Sequence, residues 1–229
     1  MMLARLAAVA AVAALAVAAL PAGSIAANEC SGIPRCISVQ GPWVAVPPTG
    51  EAEYLLECPG GKGVVAGTDA LASSQDVHAT FDGYLSSPIA FGRTTATDAF
   101  FRAVSGHHRA GMFEPFAGCI PAPQSLRNTL GGQPSPIGAP LDLRMILVKL
   151  RPGAAGTVSV SCPVGEVLVD SWNAKAFATT APPPPQLAQG IQLKTTLQGR
   201  KAMLEIATSE ALPLASNAEV QLGVRCAPA

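Results

Sequence analysis

The sequence has few charged residues, and its two signs are balanced. Lys and Arg number 15, Asp and Glu number 15, and together they make up 13% of the chain, about half of the usual share of roughly 25%. Binding to a nucleic-acid backbone needs a basic stripe. The composition therefore argues against nucleic acid as a partner and predicts a surface built from Ser, Thr, Gln, Ala and Pro.

The usual catalytic and metal-binding patterns are also missing. No Gly-x-Ser-x-Gly segment occurs, no two cysteines have Cys-x2-Cys spacing, and the C-terminal part of the chain has no histidine. Gly60-Gly61-Lys62-Gly63 lacks the spacing of a phosphate-binding loop, so we interpret it as a turn. We predict no catalytic residue, no metal ligand and no cofactor.

The three histidines leave one enzyme hypothesis open. His78, His107 and His108 could form a metal site with Asp76 or Glu114, because imidazole and carboxylate groups are normal zinc ligands. Their spacing matches none of the common ligand patterns. A metal-dependent or hydrolytic enzyme therefore remains an alternative, and it requires these histidines to converge.

The longest apolar run is too short for a membrane-spanning helix. It extends from Leu6 to Leu20, whereas a spanning helix needs roughly 20 apolar residues. Arg5 precedes the run and small residues follow it up to Ala27, which is the layout of a secretory signal peptide. We predict a signal peptide over residues 1–27 and a soluble mature protein that is secreted or envelope-associated, with no membrane partner.

The six cysteines are an even set, and export delivers them to an oxidising compartment where disulfides persist. Cys58-Pro59 returns as Cys162-Pro163, and Cys119-Ile120-Pro121 returns as Cys226-Ala227-Pro228. We interpret this return as a tandem duplication in which each copy carries its own bridge. The predicted disulfides are Cys30–Cys36, which closes a small N-terminal loop, Cys58–Cys119 and Cys162–Cys226.

The two copies differ most in one loop. They align without a gap for about thirty residues after Ile37, and the second copy then needs three extra residues, which we place between position 73 and Gly83. Residues 73–83 thus correspond to residues 177–190, which contain Pro182–Pro185. Loops on a shared framework often carry binding specificity, although free drift of a surface loop would give the same pattern.

Hydrophobic periodicity predicts an all-β fold. Apolar residues alternate with polar ones before Cys162 and before Cys226, which places both cysteines on core faces and the intervening residues in solvent. The other predicted strands are Leu141–Leu150, Glu166–Ala174, Ile191–Leu197 and Met203–Thr208, matched in the first copy by Ile37–Val46, Gly63–Ala72, Tyr84–Ala90 and Ala96–Val104. Short strands separated by Gly and Pro are typical of a β-sandwich, with a closed barrel as the alternative.

The spacing of Cys162, Trp172 and Cys226 resembles that of immunoglobulin-like domains. The first copy has Thr68 at the position that the alignment gives to Trp172, so we use the resemblance for architecture alone. The duplication and the strand pattern predict two tandem β-sandwich domains, each with one internal disulfide, and the resemblance implies an immunoglobulin-like architecture for them. The expected division is a disulfide-closed loop at 28–36, a first domain at 37–121, a Pro/Gly-rich linker at 122–140 and a second domain at 141–229.

These patterns predict a non-catalytic binding or structural protein with an unknown extracellular or cell-envelope partner. The alternatives are the histidine-centred enzyme described above and a protease inhibitor that presents a stiff loop.

Overall fold

A computed structural model describes residues 27–61, 63–81, 97–106, 108–121 and 142–229. The described chain is all-β, as predicted, and its only helices are short 3-10 turns, none of which could span a bilayer. The strands are β1 (Ile37–Gln40), β2 (Trp43–Val46), β3 (Glu51–Glu57), β4 (Gly63–Ala72), β5 (Val77–Phe81), β6 (Asp98–Ser105), β7 (Gly111–Pro121), β8 (Asp142–Lys149), β9 (Ala155–Ser161), β10 (Glu166–Phe177), β11 (Ile191–Gln198), β12 (Lys201–Thr208) and β13 (Ala218–Pro228).

Several sequence predictions fall outside the described residues. These are the signal peptide except for Ala27, the linker at 122–140, the strand Tyr84–Ala90 and His107. Below, residues 37–121 are called the N-terminal half and residues 142–229 the C-terminal half.

One antiparallel sheet runs through both halves. Its strands lie in the order β4, β7, β1 with β2, β10, β13 and β8. β1 and β2 both pair with β7 and are separated by Gly41-Pro42, because proline cannot donate a ladder hydrogen bond. The halves join where Val44 of β2 lies between Phe113 of β7 and Ala176 of β10. The sheet is therefore continuous across the two predicted domains.

Two three-stranded outer sheets cover opposite faces of this large sheet. The order is β3, β6, β5 in the N-terminal half and β9, β12, β11 in the C-terminal half. At the junction, the cross-strand pair Val44 and Ala176 belongs to the core under the first outer sheet. The neighbouring pair, Trp43 and Phe177, belongs to the core under the second. Because successive side chains on a strand point to opposite faces, the two outer sheets lie on opposite sides.

The disulfides tie each outer sheet to the large sheet. Cys58 follows β3 and bonds to Cys119 on β7, and Cys162 follows β9 and bonds to Cys226 on β13. The Cα atoms are 5.8 and 5.6 Å apart, respectively. The third bridge, Cys30–Cys36, closes the loop before β1. These three pairs are the ones expected from the sequence, and together they are typical of extracellular or secreted proteins.

The residue-by-residue alignment of the halves was wrong after the Cys-Pro corner. In the N-terminal half the corner is a 3-10 turn, Pro59–Gly61, in which Gly60 has a φ of 62°, and it is one residue longer than the corner after Cys162. β4 and β10 have register shifts at corresponding places, one at Ala66 and the other at Val169. If Ala66 is matched with Val169, the residue three positions later in β4 is Asp69 and the residue three positions later in β10 is Trp172. Asp69, and not Thr68, is therefore the counterpart of Trp172.

A small core joins the two halves. Leu55 of β3 and Phe100 of β6 pack against Trp172 of β10, and the rings of Phe100 and Trp172 meet edge to face with centroids 5.0 Å apart. The opposite face of β3 and β6 packs on the N-terminal part of the large sheet. The large sheet therefore curls toward these two strands and buries their second face at Leu55 and Phe100.

The alternation in β13 predicted solvent contact for Gln221, and this prediction was wrong. Gln221 is fully buried, with 0% of its surface exposed. Its side-chain amide donates to the Leu55 carbonyl at 2.9 Å and accepts from the Leu55 backbone N–H at 2.8 Å and from Trp172 Nε1 at 2.9 Å. The face expected in solvent instead contacts the N-terminal half.

Candidate functional site

Three loops meet at one end of the C-terminal half. They are the connections after β8 (150–154), after β10 (178–190) and after β12 (209–217). β8 and β10 both pair antiparallel with β13, so both end where β13 begins. β12 ends beside the first residues of β9 and β11. The topology therefore brings these connections together, and we call them the three-loop end.

Backbone hydrogen bonds link the loops. The N–H of Ser209 donates to the Gly190 carbonyl at 2.8 Å, and the N–H of Gly153 donates to the Ser209 carbonyl at 3.2 Å. Asn217 has a left-handed φ of 43°, and its side chain donates to the Ala178 carbonyl at 3.3 Å. Thr208 closes the group, because its hydroxyl donates to the Arg151 carbonyl at 2.6 Å.

The proline segment of the second loop has a fixed base. The chain enters a 3-10 turn over Pro185–Gly190 from an extended Pro184, with φ −54° and ψ 127°. Leu187 and Ala188 in this turn pack against the core, and Lys175 Nζ donates to the Ala188 carbonyl at 2.9 Å. Burial lowers the pKa of Lys175. Consecutive prolines are stiff, so the segment is presented on an anchored support.

The outward surface of the three-loop end combines exposed apolar side chains with two exposed charged residues, Arg151 and Glu210. Pro182 and Pro184 are exposed, and Leu214 in the third loop has 74% of its surface exposed. In the same loop Leu212 is buried and anchors the connection in the core. Exposed prolines in the second loop and an exposed leucine in the third thus lie on hydrogen-bonded neighbouring loops, and exposed apolar residues of this kind are typical of protein-binding surfaces.

Sequence reasoning found only part of this site. It singled out residues 177–190, and it missed residues 209–217 because it assigned the length difference between the halves to a single insertion. The strand registers show that both connections are longer in the C-terminal half than their counterparts, 73–76 and 106–110. Residues 77–81, predicted as part of a loop, form the strand β5.

The structure does not bring together the described members of the proposed histidine site. His78 is exposed on β5, opposite Val104, and His108 is exposed in the connection between β6 and β7. Glu114 lies opposite Leu71, on the face of the large sheet that points away from β5. Among the residues that the structure describes, no three His, Cys, Asp or Glu side chains are grouped so that they could hold a metal ion.

Glu114 instead has a local structural environment. Gln40 Nε2 donates to Glu114 Oε1 at 2.6 Å. Burial raises the pKa of Glu114, and the hydrogen bond from Gln40 opposes this shift. Asp76, the other carboxylate considered, lies in the turn before β5, where its backbone carbonyl accepts from the N–H of Gly106 at 2.9 Å.

Comparison of the chain with protein-family models, with curated proteins and with solved structures gave no match. The interpretation of the three-loop end therefore depends on its geometry and chemistry.

Proposed function

We propose that the protein is a non-catalytic binding or structural protein, secreted or associated with the cell envelope, and that the three-loop end is its binding surface. The observation that carries this proposal is the mutual hydrogen bonding of the loops on a disulfide-tied framework. A preordered surface binds with a smaller loss of conformational entropy. Pro182, Pro184 and Leu214 would then bind without rearrangement.

Tandem duplication of an immunoglobulin-like sandwich is the evolutionary part of the same proposal. The halves share the order of their outer strands, the position of the disulfide and a register shift. In each half this shift directly follows the residue opposite the second cysteine, Val65 opposite Cys119 and Leu168 opposite Cys226. Two connections of the three-loop end are longer than their counterparts in the N-terminal half. A constant framework with changed loops is the arrangement expected of a binding protein.

The chemistry of the surface indicates the class of partner. Exposed prolines in extended conformation, such as Pro184, fit grooves lined by aromatic side chains, and Leu214 adds an exposed apolar side chain at the same end of the C-terminal half. Charged residues are few, so long-range electrostatic attraction contributes little. We expect an extracellular or cell-envelope protein with an apolar groove as the partner.

Capture from the producing cell's envelope and culture-medium proteins tests the proposal. Two variants change the surface: one replaces Pro182–Pro185 with Ser-Gly-Ser-Gly, and the other is Leu214→Ser. The control is Leu197→Ser, an exposed leucine on β11. The two loop variants should lose the captured protein while the control retains it. Equal capture by all three would overturn the assignment of the surface.

A protease panel separates the inhibitor alternative from the proposal. The anchored proline segment is the observation that favours an inhibitor, because a stiff loop resists cleavage once it is bound. Inhibition by the native protein that is lost on replacing Pro182–Pro185 would identify the inhibitor. Lack of inhibition, together with specific capture, would leave the binding protein.

A further inference from the structure

Three strands of the large sheet, β1, β4 and β8, each pair with one neighbour within the described residues, and β4 and β8 lie at its two ends. β8 lies beside β13 as β1 and β2 lie beside β7. In the N-terminal half the far edge of β2 is covered by β10. In the C-terminal half the corresponding edge of β8 has no strand on it among the described residues.

The N-terminal loop covers one face of the sheet at β4. The Glu29 carbonyl lies against Gly67 and Gly118, where an added Cβ would clash with it. The backbone N–H of Asn28 donates to Asp69 Oδ2 at 2.7 Å. The counterpart of Asp69 is Trp172, which is covered by the outer sheet of the N-terminal half. The Cys30–Cys36 loop thus covers β4 where the outer sheet of the N-terminal half covers β10. Head-to-tail pairing, in which β8 of another molecule adds to β4, would place an outer sheet in the space that this loop occupies, so the loop blocks it.

Within the part of the chain that the structure describes, the β8 side has no such cover. β13 and β7 correspond through their cysteines, Cys226 and Cys119, which makes Glu219 the counterpart of Met112. Lys149 lies opposite Glu219, and Ala45 lies opposite Met112. Two residues earlier on each strand, Leu147 of β8 therefore corresponds to Trp43 of β2. Trp43 is 5% exposed, but Leu147 is 45% exposed. β8 also carries the apolar run Met145–Val148 and contains neither Gly nor Pro. Charged side chains, which oppose edge pairing, lie at Asp142, Arg144 and Lys149, and the apolar centre of the strand between them is a template for pairing with another chain.

We propose that β8 pairs antiparallel with β8 of a second copy of this chain, which forms a two-fold symmetric dimer. Identical strands can pair in this way because a two-fold axis makes the interface self-complementary and closed. Residues opposite each other share a face, so Leu143, Met145 and Leu147 of both copies form one apolar row. The three-loop ends, which follow β8, then lie at opposite ends of the dimer.

Sedimentation velocity on the exported, oxidised protein tests this interface over a micromolar to millimolar concentration series. The native protein should sediment as a dimer at high concentration and as a monomer at low concentration. Leu147→Lys should raise the dissociation constant by at least about tenfold, because it removes apolar contact and places two like charges at the interface. Leu197→Lys changes a leucine of similar exposure on β11, 54% against 45% for Leu147, and should leave the constant unchanged.

Hydrogen exchange locates the interface independently. The amides of β8 should exchange more slowly at high protein concentration than at low concentration, while those of β11 should not change. A monomer at every concentration, equal effects of the two Lys variants, or growth into long filaments would each overturn the closed β8 dimer. Matching thermal unfolding of both variants in the monomeric range verifies that they remain folded.

Discussion

At the scale of single residues, Gln221 acts as a replacement for a strand neighbour. Its side-chain amide makes the same pair of hydrogen bonds with the backbone of Leu55 that a peptide group on an adjacent strand would make. It also accepts from Trp172 Nε1. Gly223 is required beside it, since a Cβ there would overlap the Trp172 ring. Gln221, Trp172 and Gly223 of the C-terminal half thus form a specific contact surface for the N-terminal half.

Replacement of this amide should be costly. Gln221→Ala leaves the Leu55 N–H, the Leu55 carbonyl and Trp172 Nε1 buried without their partner, and each buried unsatisfied group costs about 1–3 kcal/mol. We expect a loss of about 3 kcal/mol or more in the free energy of unfolding, measured by urea denaturation. Gln192→Ala on exposed β11 should change it by less than about 0.5 kcal/mol. Similar small losses in both variants would contradict the role given to Gln221.

The buried carboxylate of Glu219 should make stability depend on pH. Burial raises the pKa of Glu219, and nearby Lys149 opposes the shift. Tyr54 is affected in turn, because burial first, then Glu219 and Glu57, raise its pKa. A folded-state pKa above the unfolded value means that Glu219 favours the fold below the ordinary value of 4.5, and that this contribution is lost as the pH rises through the folded-state pKa.

Glu219→Gln should therefore raise the free energy of unfolding near neutral pH and leave it nearly unchanged below pH 4.5, the ordinary pKa of the group. Urea denaturation at both pH values measures the difference. The matched control is Glu205→Gln, an exposed carboxylate near Lys194, which should show little change at either pH. Destabilisation of Glu219→Gln at neutral pH would show that the charged form is favoured in the fold.

At the scale of elements, each long-range disulfide holds an outer sheet on the large sheet. Cys162–Cys226 spans 64 positions and Cys30–Cys36 spans 6. In the chain-entropy model, the stabilisation increases with the length of the closed loop, to about 4 kcal/mol for the first and about 2 kcal/mol for the second. The long bridge should therefore contribute more to stability than the short one.

Paired alanine variants test this order. Cys162→Ala with Cys226→Ala should lower the free energy of unfolding by up to about 4 kcal/mol, and Cys30→Ala with Cys36→Ala should lower it by less. Guanidinium denaturation at fixed pH gives both values. A larger loss for the short bridge would indicate that the packing of the N-terminal loop on Gly67 and Gly118, rather than loop closure, determines the effect.

At the scale of the whole molecule, the two halves share one sheet and exchange core residues. Trp43 and Met112 of the N-terminal half belong to the core of the C-terminal half, and Ala174 and Ala176 belong to the core of the N-terminal half. Neither core is complete within its own half. Separate unfolding of the halves would expose these residues, so the structure favours a single cooperative unit.

Differential scanning calorimetry should therefore show one unfolding transition, with equal calorimetric and van't Hoff enthalpies. Cys58→Ala with Cys119→Ala, which weakens only the N-terminal half, should move this whole transition to lower temperature. Resolution of the variant's scan into two transitions, with only one of them shifted, would instead indicate independent domains.

The sequence determined the all-β class and the three cysteine pairs, because alternation of side chains and covalent chemistry are local or pairwise properties. Near the junction it contained a signal that was not used: Leu55-Leu56 and Phe100-Phe101 are adjacent apolar pairs that break the alternation. Such pairs indicate a strand with both faces buried. Only the tertiary structure decided what covers the second face.

The tertiary structure also decided the strand register and the joining of the halves. A one-residue difference at the Cys-Pro corner shifts every later correspondence in β4 and β10, and length alone cannot locate such a difference. The burial of Gln221 depends on Leu55, which lies 166 positions away. Contacts of this kind arise from how sheets stack and curl, and they are not expressed in the period of either strand.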